Sequence, residues 1–351
     1  MDFIQIKGFK SIKGVSVELR PINILIGANG SGKSNFISFF EMLNHLYNQK
    51  LTEFVALNGG AEKMLFQGSK ITENIKATLS FDEGKNSYSF DLEKGDDGFI
   101  FTKEKLWYLA NDWDISRYKT EAEVKYSPFD NAEYIRTCLK NIKKYHFHDT
   151  GKNSPFNKMS HVENDSYFLY EKGDNLAAFL YTIQKEYTLI YKRIVHIIQS
   201  IAPYFSDFYL QPNAEGYIRL QWQDKYSSTV YGVNDLSDGT VRFIALTVLF
   251  MQPILPQSLI IDEPELGLHP VAIAKLAAMI KSIASKGTQV IVATQSTDLL
   301  SYFEPNDIIT VNQKNGESEF HRLKEKDLEH WLIDYSLGEL WKRSIIENGQ
   351  P

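Results

Sequence analysis

Two rhythms of apolar residues alternate along this chain, and the places where one yields to the other mark its plan. Short runs that alternate apolar with polar, or stay apolar throughout, recur at 2–6, 15–19, 22–26, 75–81, 87–92 and 98–101, and predict strands. Between them Phe36, Ile37, Phe39, Phe40, Leu43, Leu46 and Tyr47 return at helical spacing. From 112 to 174 the rhythm fades into mixed aromatic, Asn, Asp, Ser and Gly residues, with one short helical stretch at 132–144. It returns at 176–205, where Leu180, Ile183, Tyr187, Ile190, Ile194, Ile197, Ile198 and Ile201 keep one face apolar, predicting a single long helix stopped by Pro203. Strands are expected at 207–210 and 217–222.

From 235 onward strand and helix alternate, the pattern of a parallel sheet. A polar turn leads into an apolar helix over 235–249, a buried strand follows at 259–263, a helix at 272–283 and a strand at 289–293. Residues 308–311 and 319–323 read as edge strands, and 331–341 as a closing helix. The expected fold is α/β: a mostly parallel core sheet, an antiparallel β subdomain and an inserted helical lobe, divided as 1–110, 111–230 and 231–351.

One stretch carries chemistry beyond packing. Residues 22–38, INILIGANGSGKSNFIS, read as a buried strand, a glycine-rich turn and a helix start, and fit G-x-x-x-x-G-K-[ST]. Glycines let backbone N–H groups converge where a Cβ would clash, which suits the oxygens of a triphosphate. Asn29, Gly30, Ser31, Gly32, Lys33, Ser34 and Asn35 are the candidate nucleotide contacts: Lys33 a charge for the β- and γ-phosphates, Ser34 a hydroxyl for Mg²⁺, and the helix N-terminus a positive dipole end. The preceding hairpin, with Phe9, Lys10 and Ser11 at its turn, is placed to lie beside a base, or is a plain hairpin.

A second group lies about 230 residues on. The run LIIDE ends in two acids at the carboxyl end of a predicted strand, where ligands bind in open α/β sheets. Asp262 suits Mg²⁺, and Glu263 suits the orientation or deprotonation of an attacking water. Gln67 is a candidate metal- or water-sensing residue, or an ordinary loop glutamine. Ser237 and Gly239 open a helix whose N–H groups suit a second phosphate, bound by another subunit. His146, His148, Asp149 and His161 match no tight ligand spacing and no cysteine pair supports them, so a metal is not expected there.

Composition narrows the setting. The net charge of −6 and pI near 5.8 argue against indiscriminate nucleic-acid binding. Two lysine recurrences, Lys7, Lys10, Lys13 and Lys140, Lys143, Lys144, read as solvated faces or as local basic patches. No apolar run reaches the ~20 residues of a membrane helix, and no charged-then-apolar leader follows Met1, so the expectation is a cytoplasmic protein without a membrane partner. The single cysteine, Cys138, agrees with a reducing compartment.

The set GANGSGKSN, LSDGTVRF, LIIDEPELGLHP and VATQS resembles the ABC-type ATPase heads of the RecF/SMC group, and more closely the stand-alone bacterial predicted AAA ATPases linked to anti-phage defence. YHFHDT, GDNLAAFL and WLIDYSLGELW extend that resemblance over nearly the whole chain. It implies a P-loop NTPase head that binds ATP with Mg²⁺, hydrolyses it, and forms a homodimer sandwiching two ATP. Ser237 and Gly239 then touch the γ-phosphate held by the partner head. Asp238 and Thr240 stand where such signatures usually have Gly and Gln. Gln295 takes the switch-histidine position; it can hydrogen-bond a γ-phosphate but not act as acid or base, so hydrolysis is expected to be slow. His269 replaces the usual aspartate of the following loop, or simply packs at a helix start. A partner effector encoded nearby, such as a nuclease or toxin, and DNA are the other partners the resemblance suggests.

Overall fold

The computed structural model describes residues 1–96 and 98–346; residues 347–351, the end of the third expected segment, lie outside the described residues. The chain forms two compact units, one of residues 1–144, 256–262 and 287–351, the other of 145–255 and 263–286. The chain passes from one unit to the other after Lys144, Leu255, Asp262 and Lys286.

The first unit holds two six-stranded sheets. One is antiparallel, built from β1 (Phe3–Phe9), β2 (Ile12–Glu18), β4 (Asn74–Phe81), β5 (Asn86–Lys94), β6 (Phe99–Tyr108) and β7 (Asn111–Ser116) in the order β2-β1-β4-β5-β6-β7. The other takes β3 (Ile22–Ile26), β8 (Ile142–Tyr145), β9 (Ser258–Asp262), β10 (Gln289–Thr294), β11 (Ile308–Lys314) and β12 (Glu317–Arg322) in the order β12-β11-β3-β10-β9-β8. Helix α1 (Lys33–Tyr47) follows β3, and its apolar residues are spread widely enough to bury both flanks. Phe39 stacks on Phe90 of β5 and meets Phe9 of β1 edge-on at 5.5 Å, while Phe36 lies against Phe320 of β12. The core of this unit runs through those rings with Ile4, Ile6, Leu25, Ile260, Ile291 and Val311.

Four expectations are corrected here. The strand at 308–314 is not an edge: it pairs parallel with β3 and antiparallel with β12, because Ile308–Val311 are buried on both faces. The stretch at 132–144 divides into a helix, α2 (Asp130–Lys140), and β8, an edge strand of the core sheet. The long helix at 176–205 is two, α3 (Leu176–Glu186) and α4 (Thr188–Gln199), separated at Tyr187, whose φ of −127° and ψ of 52° leave the helical region. The closing helix is shorter, Leu337–Lys342, started by a reciprocal cap between Ser336 and Glu339.

The second unit packs α3 and α4 with α5 (Asp238–Met251) and α6 (Pro270–Ala284), and carries a three-stranded sheet of 205–208, 221–224 and 230–232. Trp222 is stacked between Phe205 and Tyr231 there. Ten consecutive residues of α5, Val241 to Phe250, are buried, which explains its apolar character all round.

Candidate nucleotide site

In the first unit β3, β9 and β10 run parallel, so their carboxyl ends share one edge of the sheet. Asp262 is level with Ala293, and Ala293 with Leu25. At ordinary strand spacing the Asp262 backbone is thus two strands, about 10 Å, from the strand that feeds the glycine-rich loop. Ligands of open α/β sheets collect at that edge.

The loop is built for an anion. Gly30 and Gly32 are left-handed, with φ of 79° and 112°, a conformation that turns successive N–H groups inward. A Cβ on Gly27 would stand 2.1 Å from the Val311 carbonyl oxygen, and one on Gly32 2.0 Å from Ser318 Oγ, so these two glycines are required by close packing. Around Gly30 a Cβ would meet nothing within 4 Å, so its glycine is required by φ alone. The Lys33 ammonium, 5% exposed, donates to the carbonyls of Gly27 at 2.7 Å and Ala28 at 2.9 Å, which centres the charge inside the loop. No acidic residue occupies the first turn of α1, and Gly32 offers no side-chain cap, so the positive end of this helix faces no carboxylate of its own. Ser34 is exposed on that turn, and the buried Oγ of Ser31 has no hydrogen-bond partner among the described residues.

The support beneath the loop was not legible from spacing. Asn35 Nδ2 donates to Ser11 Oγ at 2.7 Å, and the buried Ser318 Oγ donates to the Ser31 carbonyl at 2.7 Å while lying 2.7 Å from Ser11 Oγ. Ser11 and Asn35 therefore join the loop to β12. Lys10, at φ 49°, sends its ammonium to Ser38 Oγ at 2.7 Å and Asn58 Oδ1 at 3.2 Å; its burial lowers its pKa. Asn29 and Gln67 are both exposed; Gln67 has φ 54° and its amide lies near Gly316. Thr294 Oγ1, wholly buried at the end of β10, accepts from the Ser296 N–H, and Gln295 between them is exposed.

The second unit carries the rest. Glu263 has φ 42°, unusual for a residue with a Cβ and more so before a proline; such strain costs about 1–3 kcal/mol and gathers at functional sites. Its carbonyl accepts from the Leu266 N–H at 3.3 Å, closing a turn. Ser237 caps α5, its Oγ accepting from the Thr240 N–H and lying 2.8 Å from Thr240 Oγ1. Gly239 packs on Gly267, and His269 caps α6 by accepting from the Val271 N–H. Ser237, Gly239, Thr240, Gly267 and His269 line one cavity of about 280 Å³.

Arg242, 6% exposed, was missed although a cation within ten buried residues is a visible signal. Its guanidinium donates to the carbonyls of Phe147 at 3.0 Å, His148 at 3.1 Å and Leu266, tying three backbone segments together, and burial lowers its pKa. His146 and His148 stack at 4.3 Å, and His161 Nε2 pairs with the Glu215 carbonyl. Among the described residues no three His, Cys, Asp or Glu side chains are grouped to hold a metal.

The family AAA_21, described as "AAA domain, putative AbiEii toxin, Type IV TA system", matches residues 22–301. An Smc head solved bound to the C-winged helix domain of ScpA is 21% identical, with a TM-score of 0.62 over 93% of this chain and 99% of that one. The Smc head with an extended coiled coil bound to the C-terminal domain of ScpA, derived from Pyrococcus furiosus, is 16% identical, with a TM-score of 0.61 over 95% and 98%. No curated protein matches. These likenesses show the fold: a P-loop head of the ABC/SMC type, as the sequence motifs lead one to expect. No helix among the described residues is long and apolar enough to cross a membrane.

Proposed function

This chain belongs to the AAA_21 family, and on that premise we propose that it is an ATPase whose heads pair around two ATP molecules and separate after hydrolysis. The observation that carries the reading is the loop 27–34: two left-handed glycines, a buried lysine at its centre and a helix start free of acids, at the same sheet edge as Asp262.

In this reading the loop N–H groups and Lys33 take the β- and γ-phosphates, and Asn29, Ser31 and Asn35 flank them. Bound Mg²⁺, held by Ser34 and Asp262 with Gln67 as a further candidate, would offset phosphate charge. Glu263 orients and deprotonates the attacking water, and Gln295 donates a hydrogen bond to the γ-phosphate. Ser237 and Gly239 of a second copy complete the phosphate's surroundings, the cavity they share with His269 being the surface offered. The strained backbone of Glu263 supports its assignment.

The test is Glu263→Gln. ATP affinity stays within about twofold while kcat falls by about 10²–10⁴, the usual contribution of a general base. Turnover equal to the parent protein would remove Glu263 from the mechanism. Ser237→Arg should abolish ATP-dependent dimers in sedimentation with a slowly hydrolysed analogue while leaving ATP binding intact.

The family description, which names a toxin–antitoxin system, and the Smc heads solved with ScpA domains support a second element: the nucleotide state governs a partner effector. A pull-down from the native host with and without ATP tests it, and an identical set of captured proteins would count against it.

A further inference from the structure

The outward face of the antiparallel sheet carries a concavity of about 190 Å³ lined by Gln5, Lys7, Lys76, Thr78, Ser89, Asp91 and Lys103. Cross-strand register explains the grouping. Lys7 of β1 is directly opposite Lys76 of β4, Lys76 opposite Asp91 of β5, and Asp91 opposite Lys103 of β6, so one row of the sheet reads Lys, Lys, Asp, Lys. One step along each strand pair, Gln5, Thr78 and Ser89 form a neutral row of amide and hydroxyls.

Charge accounting leaves a surplus. Asp91 is engaged by Lys76 at 3.2 Å. Among the described residues neither Lys7 nor Lys103 has an acidic partner within ion-pair distance, whereas Lys105 on the same face has two, Asp112 and Asp114. Lys10, Lys13 and Lys144, which the sequence grouped with basic runs, are engaged elsewhere with Ser38, Glu317 and Glu41. Like charges directly opposite on a sheet destabilise it. A protein of net charge −6 that nonetheless gathers two surplus ammonium groups around one hollow, against a Lys–Lys cross-strand pair, holds an arrangement that an anion would relieve.

We propose that this hollow binds a phosphate group through Lys7, Lys76 and Lys103, with Thr78 and Ser89 hydroxyls and the Gln5 amide as neutral donors. Lysine suits phosphate as a point charge, and the volume is below that of pockets for drug-sized molecules. The shared chemistry is the phosphate monoanion or dianion; its source is either the backbone of a single-stranded nucleic acid laid across the strands or a free small phosphate. The site lies on a face that the glycine-rich loop does not use, so its test stands apart from ATP turnover.

The experiment compares the full chain with Lys7→Gln/Lys103→Gln. A fluorescein-labelled oligothymidylate is titrated by anisotropy at several salt concentrations, and inorganic phosphate is added in thermal melts. Expected for the nucleic-acid source is oligonucleotide binding whose log–log salt slope is lower by about 1.4 in the double variant, about 0.7 for each lost contact. Expected for the small-phosphate source is a phosphate-dependent rise in Tm in the parent and a smaller rise or none in the variant, without oligonucleotide binding. Without phosphate the variant should melt close to the parent, since Lys7→Gln relieves a like-charged pair while Lys103→Gln gives up the position opposite Asp91. The proposal is overturned if neither probe acts on the parent, or if both proteins respond alike.

Discussion

Gly239 stands so close to Gly267 that a Cβ on it would lie 2.4 Å from the Gly267 carbonyl oxygen. The start of α5 and the turn after Glu263 are thereby set against each other by backbone contact, without a flexible side chain to yield. Gly239→Ala should force these segments apart, with a loss of about 1–3 kcal/mol, the usual range for overpacking. Urea midpoints check the stability. Sedimentation with an ATP analogue checks whether the displaced Ser237 still supports pairing; unaltered pairing would show that the spacing is not needed for it.

Lys33→Ala removes a charge that donates to two carbonyls of its own loop. Charge-assisted hydrogen bonds contribute about 1.5–3 kcal/mol each, so ATP affinity should fall by at least about tenfold to a hundredfold. Calorimetric titration reads this directly. Affinity like that of the parent would mean that the loop does not hold the triphosphate.

Arg242→Lys keeps the cation but loses the planar fork that reaches the Phe147, His148 and Leu266 carbonyls. At least one buried carbonyl is left without its donor, for a loss of about 1–3 kcal/mol. Because Arg242 acts through the backbone it holds, kcat should fall while ATP affinity is unchanged. Denaturation midpoints together with turnover check both parts.

Tyr88 and Glu104 form a buried pair between β5 and β6, the phenol 2.8 Å from the carboxylate, which also accepts from the Glu123 and Val124 N–H groups. Burial raises the Glu104 pKa above 4.5, and the hydrogen bonds partly oppose that rise. A carboxyl with a raised folded-state pKa favours the fold when protonated, so its contribution is present below about pH 4.5 and is lost as pH climbs towards the folded value. Tyr88→Phe removes a donor to the charged form and raises that pKa further. The variant should therefore lose about 1–3 kcal/mol at pH 7 and less at pH 4. Urea unfolding at the two pH values checks it, and equal losses would show that the phenol does not serve the carboxylate.

Much of the fold could be read from order along the chain. The unbroken apolar runs of β3, β9 and β10 announced strands covered on both faces, and each appears within a residue or two of its expected span. Spacing failed where a neighbour distant in sequence decides. The apolar stripe of α3 continues into α4 without a gap, so nothing in its period shows the break at Tyr187. Residues 308–311 read as an edge strand because no pattern reveals that β3, nearly 300 residues earlier, lies alongside.

The same division runs through the candidate site. Sequence by itself determined the glycine-rich loop, the acids at 262 and 263 and the polar helix start at 237, because each depends on residues within a few positions: positive φ, a helix N-terminus, the end of a buried strand. Tertiary structure alone decided that Ser318 and Ser11 brace the loop, that Arg242 binds three separate carbonyls, and that Lys7, Lys76 and Lys103 share one hollow. Those depend on strand order and register, which arise from burial summed over the whole chain rather than from any local spacing.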